Sequence, residues 1–75
     1  MKRSKNFEKR KKFTMELLGD PLYKPMRLRE IASLLQLDKS EKKELFDVLD
    51  ELCAQGKAEV DNKGRYSKVS DRKST

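Results

Sequence analysis

The sequence predicts an α+β, mainly helical domain of three helices closed by a C-terminal β-hairpin. Three observations predict it. Apolar residues recur at helical spacing in three separate stretches. Turn and cap residues (Gly19-Asp20-Pro21, Asp38, Gly56) separate those stretches. The last apolar residues alternate in two short runs around Asn62-Lys63-Gly64. Two helices joined by a tight turn and followed by a hairpin describe a winged helix-turn-helix. The hairpin, as the wing, would close a core that three short helices cannot close alone.

In chain order, residues 1–12 read as a basic, solvated, flexible arm that runs into the first helix. They hold seven Lys/Arg and one acid, Glu8, so the arm carries +6, the entire net charge. The other 63 residues carry 12 basic and 12 acidic side chains and balance to zero. The domain proper is 13–69. Phe13, Leu17 and the 14/18 positions suit one face of the first helix, which Gly19 at its C-cap and Pro21 end. Leu22 to Pro25 form a connector, with Lys24 extended because it precedes proline. Met26-Arg27-Leu28 make at most a very short strand. A second helix over about 28–36 is predicted from Leu28, Ile31, Ala32, Leu34 and Leu35. Arg27 stands where a capping box ahead of Glu30 wants Ser or Thr.

The third helix, about 39–55, has Asp38 and Glu41 as a capping box. Its apolar stripe is Leu45, Phe46, Val48, Leu49, Leu52 and Cys53. Gly56 ends it. Residues 58–61 and 65–69 then alternate as hairpin strands. The polar residues 70–75 read as a disordered tail or the start of a linker.

Composition removes several functions. No apolar run exceeds three residues, so neither a membrane span nor a signal-peptide core is present, and a cytoplasmic location is expected. One cysteine and no histidine exclude an internal disulfide, a zinc site and any Ser-His or Cys-His nucleophile pair. Cys53 reads as a small core residue. The chain is expected to be no enzyme, to hold no cofactor and to be a monomer.

Tyr23-Lys24-Pro25-Met26, Leu28-Arg29-Glu30-Ile31-Ala32, the stretch Leu45–Leu52, Gly56-Lys57 and Asn62-Lys63-Gly64-Arg65-Tyr66 resemble, in that order, the N-terminal winged-helix domain of bacterial ribonuclease R. That enzyme belongs to the ribonuclease II/R family of 3′-to-5′ exoribonucleases. The similarity spans about Phe13 to Lys68. It implies a fragment of a hydrolase whose magnesium-dependent chemistry resides in a large central domain with clustered aspartates, flanked by cold-shock and S1-type domains. None of these is in this chain. It further implies a role in helping the parent engage structured RNA, with magnesium expected only in that central domain.

Candidate contacts to nucleic acid follow from charge. Residues 38–51 carry six acids against three lysines. Such a helix would bring carboxylates near phosphates, which opposes major-groove insertion. Lys42 and Lys43, with Lys39, oppose the helix dipole by ~0.3 kcal/mol each and read either as phosphate ligands or as a mixed solvated face. On the wing, Lys63, Arg65 and Lys68 can reach phosphates. Arg65 reads equally as a salt bridge to Glu59 or Asp61. Tyr66 either stacks on a base or covers the core against Leu52 and Val60. Lys24 and Arg27, with Arg29, precede or open the second helix, where phosphate is favoured. Lys9, Arg10, Lys11 and Lys12 of the arm add sequence-independent, salt-sensitive affinity.

Three functions compete. The first is a non-catalytic RNA-binding domain contacting duplex or structured RNA through phosphates. The second is a DNA-reading winged-helix regulator, against which stand the acidic third helix and the lack of a dimerisation element. The third is a protein-interaction or autoinhibitory domain using that acidic face.

Overall fold

A computed structural model describes residues 5–69. The first four residues of the basic segment and the polar tail expected from residue 70 lie outside the described residues. Six elements follow in order: α1 (Lys5–Leu18), β1 (Met26–Arg27), α2 (Leu28–Leu34), α3 (Lys39–Ala54), β2 (Ala58–Val60) and β3 (Arg65–Lys68). The fold is α+β and mainly helical. The three strands form one antiparallel sheet in the order β1-β3-β2, so the strand nearest the C-terminus lies in the middle.

The core gathers around α3. Leu45, Val48, Leu49 and Leu52 have no exposed surface and share one stripe at spacings of three and four residues. Ile31 and Ala32 of α2, Phe7 and Leu18 of α1, and Ala58 of β2 pack on that stripe. Helix α3 starts where Asp38 and Glu41 predict, with the Glu41 carboxylate accepting the Asp38 N–H at 3.1 Å. It stops at Gly56, whose φ of 79° is the left-handed turn that glycine tolerates best. The N–H of Lys57 then reaches back to the carbonyl of Leu52 at 2.8 Å, closing a Schellman motif.

Helix α2 is shorter than expected. It ends at Leu34, and Gln36 takes the left-handed position (φ 56°) without being glycine, so Leu37 N–H can bond Ala32 O at 2.9 Å. Gly19 follows the end of α1, as predicted, but not as a left-handed cap. Its φ is not positive. A side chain there would meet the Lys68 Nζ at 3.4 Å.

The principal correction concerns the basic arm. From Lys5 onward it is helix, continuous with the segment expected to begin the domain. Phe7, assigned to the arm, is 4% exposed and belongs to the core, while Phe13, assigned to the core, is 50% exposed. The physical reason is helical phase. Phe7, Thr14 and Leu18 are spaced by seven and four residues and fall on one line, and Phe13 lies off it. Phe46, Leu34 and Val60, read as core-facing, are likewise about half exposed.

Two tests follow. Phe7→Ala should lower unfolding free energy by about 3 kcal/mol or more, the usual cost of emptying a buried phenylalanine site, and Phe13→Ala by well under about 1 kcal/mol. Equal losses in guanidinium titrations would contradict the docked helix. Thr14 is fully buried, and among the described residues its hydroxyl has no hydrogen-bond partner. Thr14→Val should therefore raise stability by about 1 kcal/mol in the same titration.

Candidate nucleic-acid interface

The buried stripe fixes how α3 is rotated, and rotation decides where its charges go. Glu41, Glu44 and Glu51 lie on the flank facing α1. There Arg10 bridges two of them, Nε to Glu44 Oε1 at 3.1 Å and a terminal nitrogen to Glu41 Oε2 at 3.5 Å. Lys11 Nζ lies 3.8 Å from Glu51 Oε2. Arg10 and Lys11, expected as free cations of a flexible arm, are thus partly buried and paired within the fold. Lys9 and Lys12 stay exposed on α1.

The opposite flank of α3 borders an open groove of about 650 Å³. Arg27 and Arg29 enter it from the start of α2, Lys42 and Phe46 from α3, and Lys63 and Tyr66 from the β2–β3 hairpin. Four cations from three elements converge there, against one carboxylate, Glu30. Of the sequence-predicted residues, the groove unites Arg27, Lys42 and Lys63. Arg29, weighed with them at the sequence level, joins the set. Phe46 was overlooked because its spacing reads as core.

The hairpin turn is held by one side chain. Asp61 Oδ1 accepts the backbone N–H of Lys63 and of Arg65, each at 2.9 Å, and Gly64 takes a φ of 82°. This leaves the Lys63 side chain exposed at the tip. Among the described residues Arg65 makes no ion pair with Glu59 or Asp61, since Asp61 binds its backbone instead. The register places Arg65 directly opposite Arg27, two like charges on one sheet face. Lys63 and Arg65 also border a shallow depression continuous with the turn, through Asp61 and Asn62.

Tyr23 ties the connector to this sheet. Its hydroxyl donates to Tyr66 O at 2.7 Å and accepts the Met26 N–H at 3.3 Å, and burial pushes its pKa above the usual tyrosine value. Tyr66 is half-buried, packed on the core and paired with Val60 across the hairpin, as its core-covering reading expects. Burial raises its pKa, aided by Cys53 and by the Asp50 carboxylate. Burial also pushes the Cys53 thiol up, with Asp50 and Glu59 adding to the effect, so the group is held as a thiol.

The remaining expected contacts lie elsewhere. Lys68 approaches the C-terminal end of α1 at Gly19, where a cation suits the helix dipole. Lys24 borders a mostly apolar hollow with Leu17, Leu22 and Leu34. Lys43 is exposed on α3, outside the groove's lining. The start of α2 is no free phosphate cradle: the helix has seven residues, and Glu30 Oε1 already accepts the Arg27 N–H at 3.4 Å.

Among the described residues, no helix is long and apolar enough to cross a membrane. No protein-family model matches the chain, and no curated protein matches it.

The hydrogen bond from Arg65 N–H, then that from Lys63 and the two nearby cations, hold the Asp61 carboxyl below the ordinary value of 3.8. A lowered folded pKa stabilises the turn above pH 3.8, and that contribution is lost as pH falls through the folded pKa. In an NMR titration the Lys63 and Arg65 amide shifts should therefore move together with a midpoint below 3.8, and Asp61→Asn should remove the titration. A midpoint at or above 3.8 would show that the turn does not favour the carboxylate.

Proposed function

We propose that this chain is a non-catalytic RNA-binding domain of the winged-helix type, the N-terminal domain of a ribonuclease R-like 3′-to-5′ exoribonuclease. It helps the parent engage structured RNA by gripping the phosphate backbone. The observation that carries this reading is the groove itself. Cations from the start of α2, from α3 and from the hairpin turn converge on one concavity that holds a single carboxylate. Clustered arginine and lysine side chains on a polar concave surface are the usual footprint of backbone recognition. The element order, with a hairpin following two helices joined by a tight turn, supports the winged-helix assignment. The Tyr-Lys-Pro and Lys-Gly-Arg-Tyr segments support the family assignment.

The competing functions lose support from the same geometry. An acidic docking face on α3 is reduced, because Glu41, Glu44 and Glu51 are paired with α1 and only Asp38, Asp47 and Asp50 of its six acids stay exposed. A DNA-reading helix would present the exposed Asp47 and Asp50 along with Lys42 and Lys43. Carboxylates at that position work against the counterion release that drives binding.

The test is a titration of the full chain with duplex RNA, single-stranded RNA and duplex DNA at two salt concentrations. Arg27→Ala with Lys63→Ala should weaken RNA binding about tenfold at low salt. The same pair should make the salt slope shallower by roughly one to two contacts. Lys24→Ala, outside the groove, should leave affinity within about twofold. Unchanged affinity in the double variant would remove the groove from the proposal, and sequence-selective DNA binding would replace RNA as the ligand.

A further inference from the structure

The groove is not lined by cations alone. Phe46 borders it from α3 and is 46% exposed, although its helix neighbours Leu45, Val48 and Leu49 have no exposed surface. A half-exposed phenyl ring forgoes the burial that places phenylalanine in cores. Here it stands beside Lys42, with Arg27, Arg29 and Lys63 around the same concavity. A ligand that matches a flat apolar ring and several cations together must be flat in one part and anionic in the next. A nucleotide has that chemistry.

Base pairing state then matters. In an RNA duplex both faces of each base are covered by its neighbours, and the deep, narrow major groove keeps side chains from base edges. A ring on the wall of a concave groove meets only phosphates and ribose in that case. An unpaired base can leave its stack, enter the groove and lie on the ring. The groove's size, about 650 Å³, falls within the range of sites for small ligands. Asn62, on the hairpin side, offers both a donor and an acceptor to a base edge.

We infer that the groove seats one unpaired nucleotide of a single-stranded RNA segment, its base stacked on Phe46 and its flanking phosphates held by Arg27 and Arg29 on one side and Lys42 and Lys63 on the other. This rests on the basic groove being the nucleic-acid site and specifies what occupies it. The domain then marks the place where a structured RNA passes into an unpaired strand.

The experiment compares Phe46→Ala, Phe46→Tyr and the Arg27→Ala/Lys63→Ala pair with the unaltered full chain. Each is titrated with a single-stranded oligoribonucleotide carrying one 2-aminopurine and with an RNA duplex of equal length. Circular dichroism confirms that each variant is folded. Loss of one base–aromatic stack should weaken single-strand binding by roughly tenfold in Phe46→Ala. Duplex affinity and the salt slope should stay within about twofold. Quenching of the 2-aminopurine on binding should vanish in Phe46→Ala and persist in Phe46→Tyr. Equal losses on both RNAs, or no loss and unchanged quenching, would overturn the stacking assignment. If the cation pair still weakens binding in that case, the groove remains a backbone site and only the stacked base is lost. If neither substitution has any effect, both readings fall. Displacement of the oligonucleotide by polyglutamate of equal charge, equally well from the unaltered chain and from Phe46→Ala, would make the groove an unselective anion site and overturn the inference as well.

Discussion

The stripe Leu45–Val48–Leu49–Leu52 is the constraint on which the rest of the molecule depends. All four residues are fully buried, and residues of α1, α2 and β2 complete the core with them. A helix turns about 100° per residue, so fixing this line fixes every other side chain on α3. Positions 41, 44 and 51 must fall on one flank, and 42, 46 and 53 on the other. The first flank carries only carboxylates and meets the basic residues of α1. The second carries a lysine and an aromatic and meets the hairpin. Burial of four apolar side chains therefore separates the helix's charges into a side paired with α1 and a side that borders the groove, with no further device.

The same reasoning explains why α1 is long. Arg10 and Lys11 lie on either side of the line through Phe7, Thr14 and Leu18, so docking that line against α3 carries both cations to the acids of α3. Partly exposed ion pairs of this kind contribute little each, up to about 1 kcal/mol. Their larger effect is to give two of the five cations in residues 5–12, Arg10 and Lys11, carboxylate partners. Without Glu41, Glu44 and Glu51, residues 5–12 would be a self-repelling basic run. With them, the run extends a helix by two turns and places Phe7 in the core.

The order of elements, the capping of α3, the glycine at its end and the hairpin turn were all legible in the sequence, because each is set by neighbours a few residues away. The start of α1 was not, since a polybasic run looks solvated until the acids that receive it, more than thirty residues later, are brought beside it. The groove was half legible. Arg27, Lys42 and Lys63 stand out as cations near helix starts and a turn, but their convergence depends on the pairing of β1 with β3, a two-residue contact between positions forty residues apart. The charge of α3 misled for a simpler reason: summed along the helix it is acidic, whereas taken around the helix it is acidic on one flank and basic on another. Phe46 shows the same limit. Its spacing fits the apolar stripe, but it lies at the stripe's edge, where only the neighbouring elements decide whether a ring is covered.

That convergence has a cost in the unliganded protein. Arg27 and Arg65 face each other across β1 and β3, an arrangement that destabilises a sheet by a few tenths to about 1 kcal/mol. Lys63 and Arg29 raise the same local potential. In a domain this small, whose core is one helix stripe, such terms are a noticeable part of the margin of stability. What opposes them is local: the Tyr23 hydroxyl clamping β1 to β3, and the Asp61 carboxylate, which gathers the turn's N–H groups and sets one negative charge near Lys63 and Arg65. Geometry is thus held largely by hydrogen bonds, and the charge of the groove is offset only in part, by Asp61 and Glu30. On the proposed reading, a phosphate chain entering the groove would supply the missing anions and so tie occupancy of the site to the stability of the sheet. The cations are then best understood as an incomplete electrostatic arrangement that the protein's own carboxylates are kept from completing, because the rotation of α3 has already committed three of them to α1.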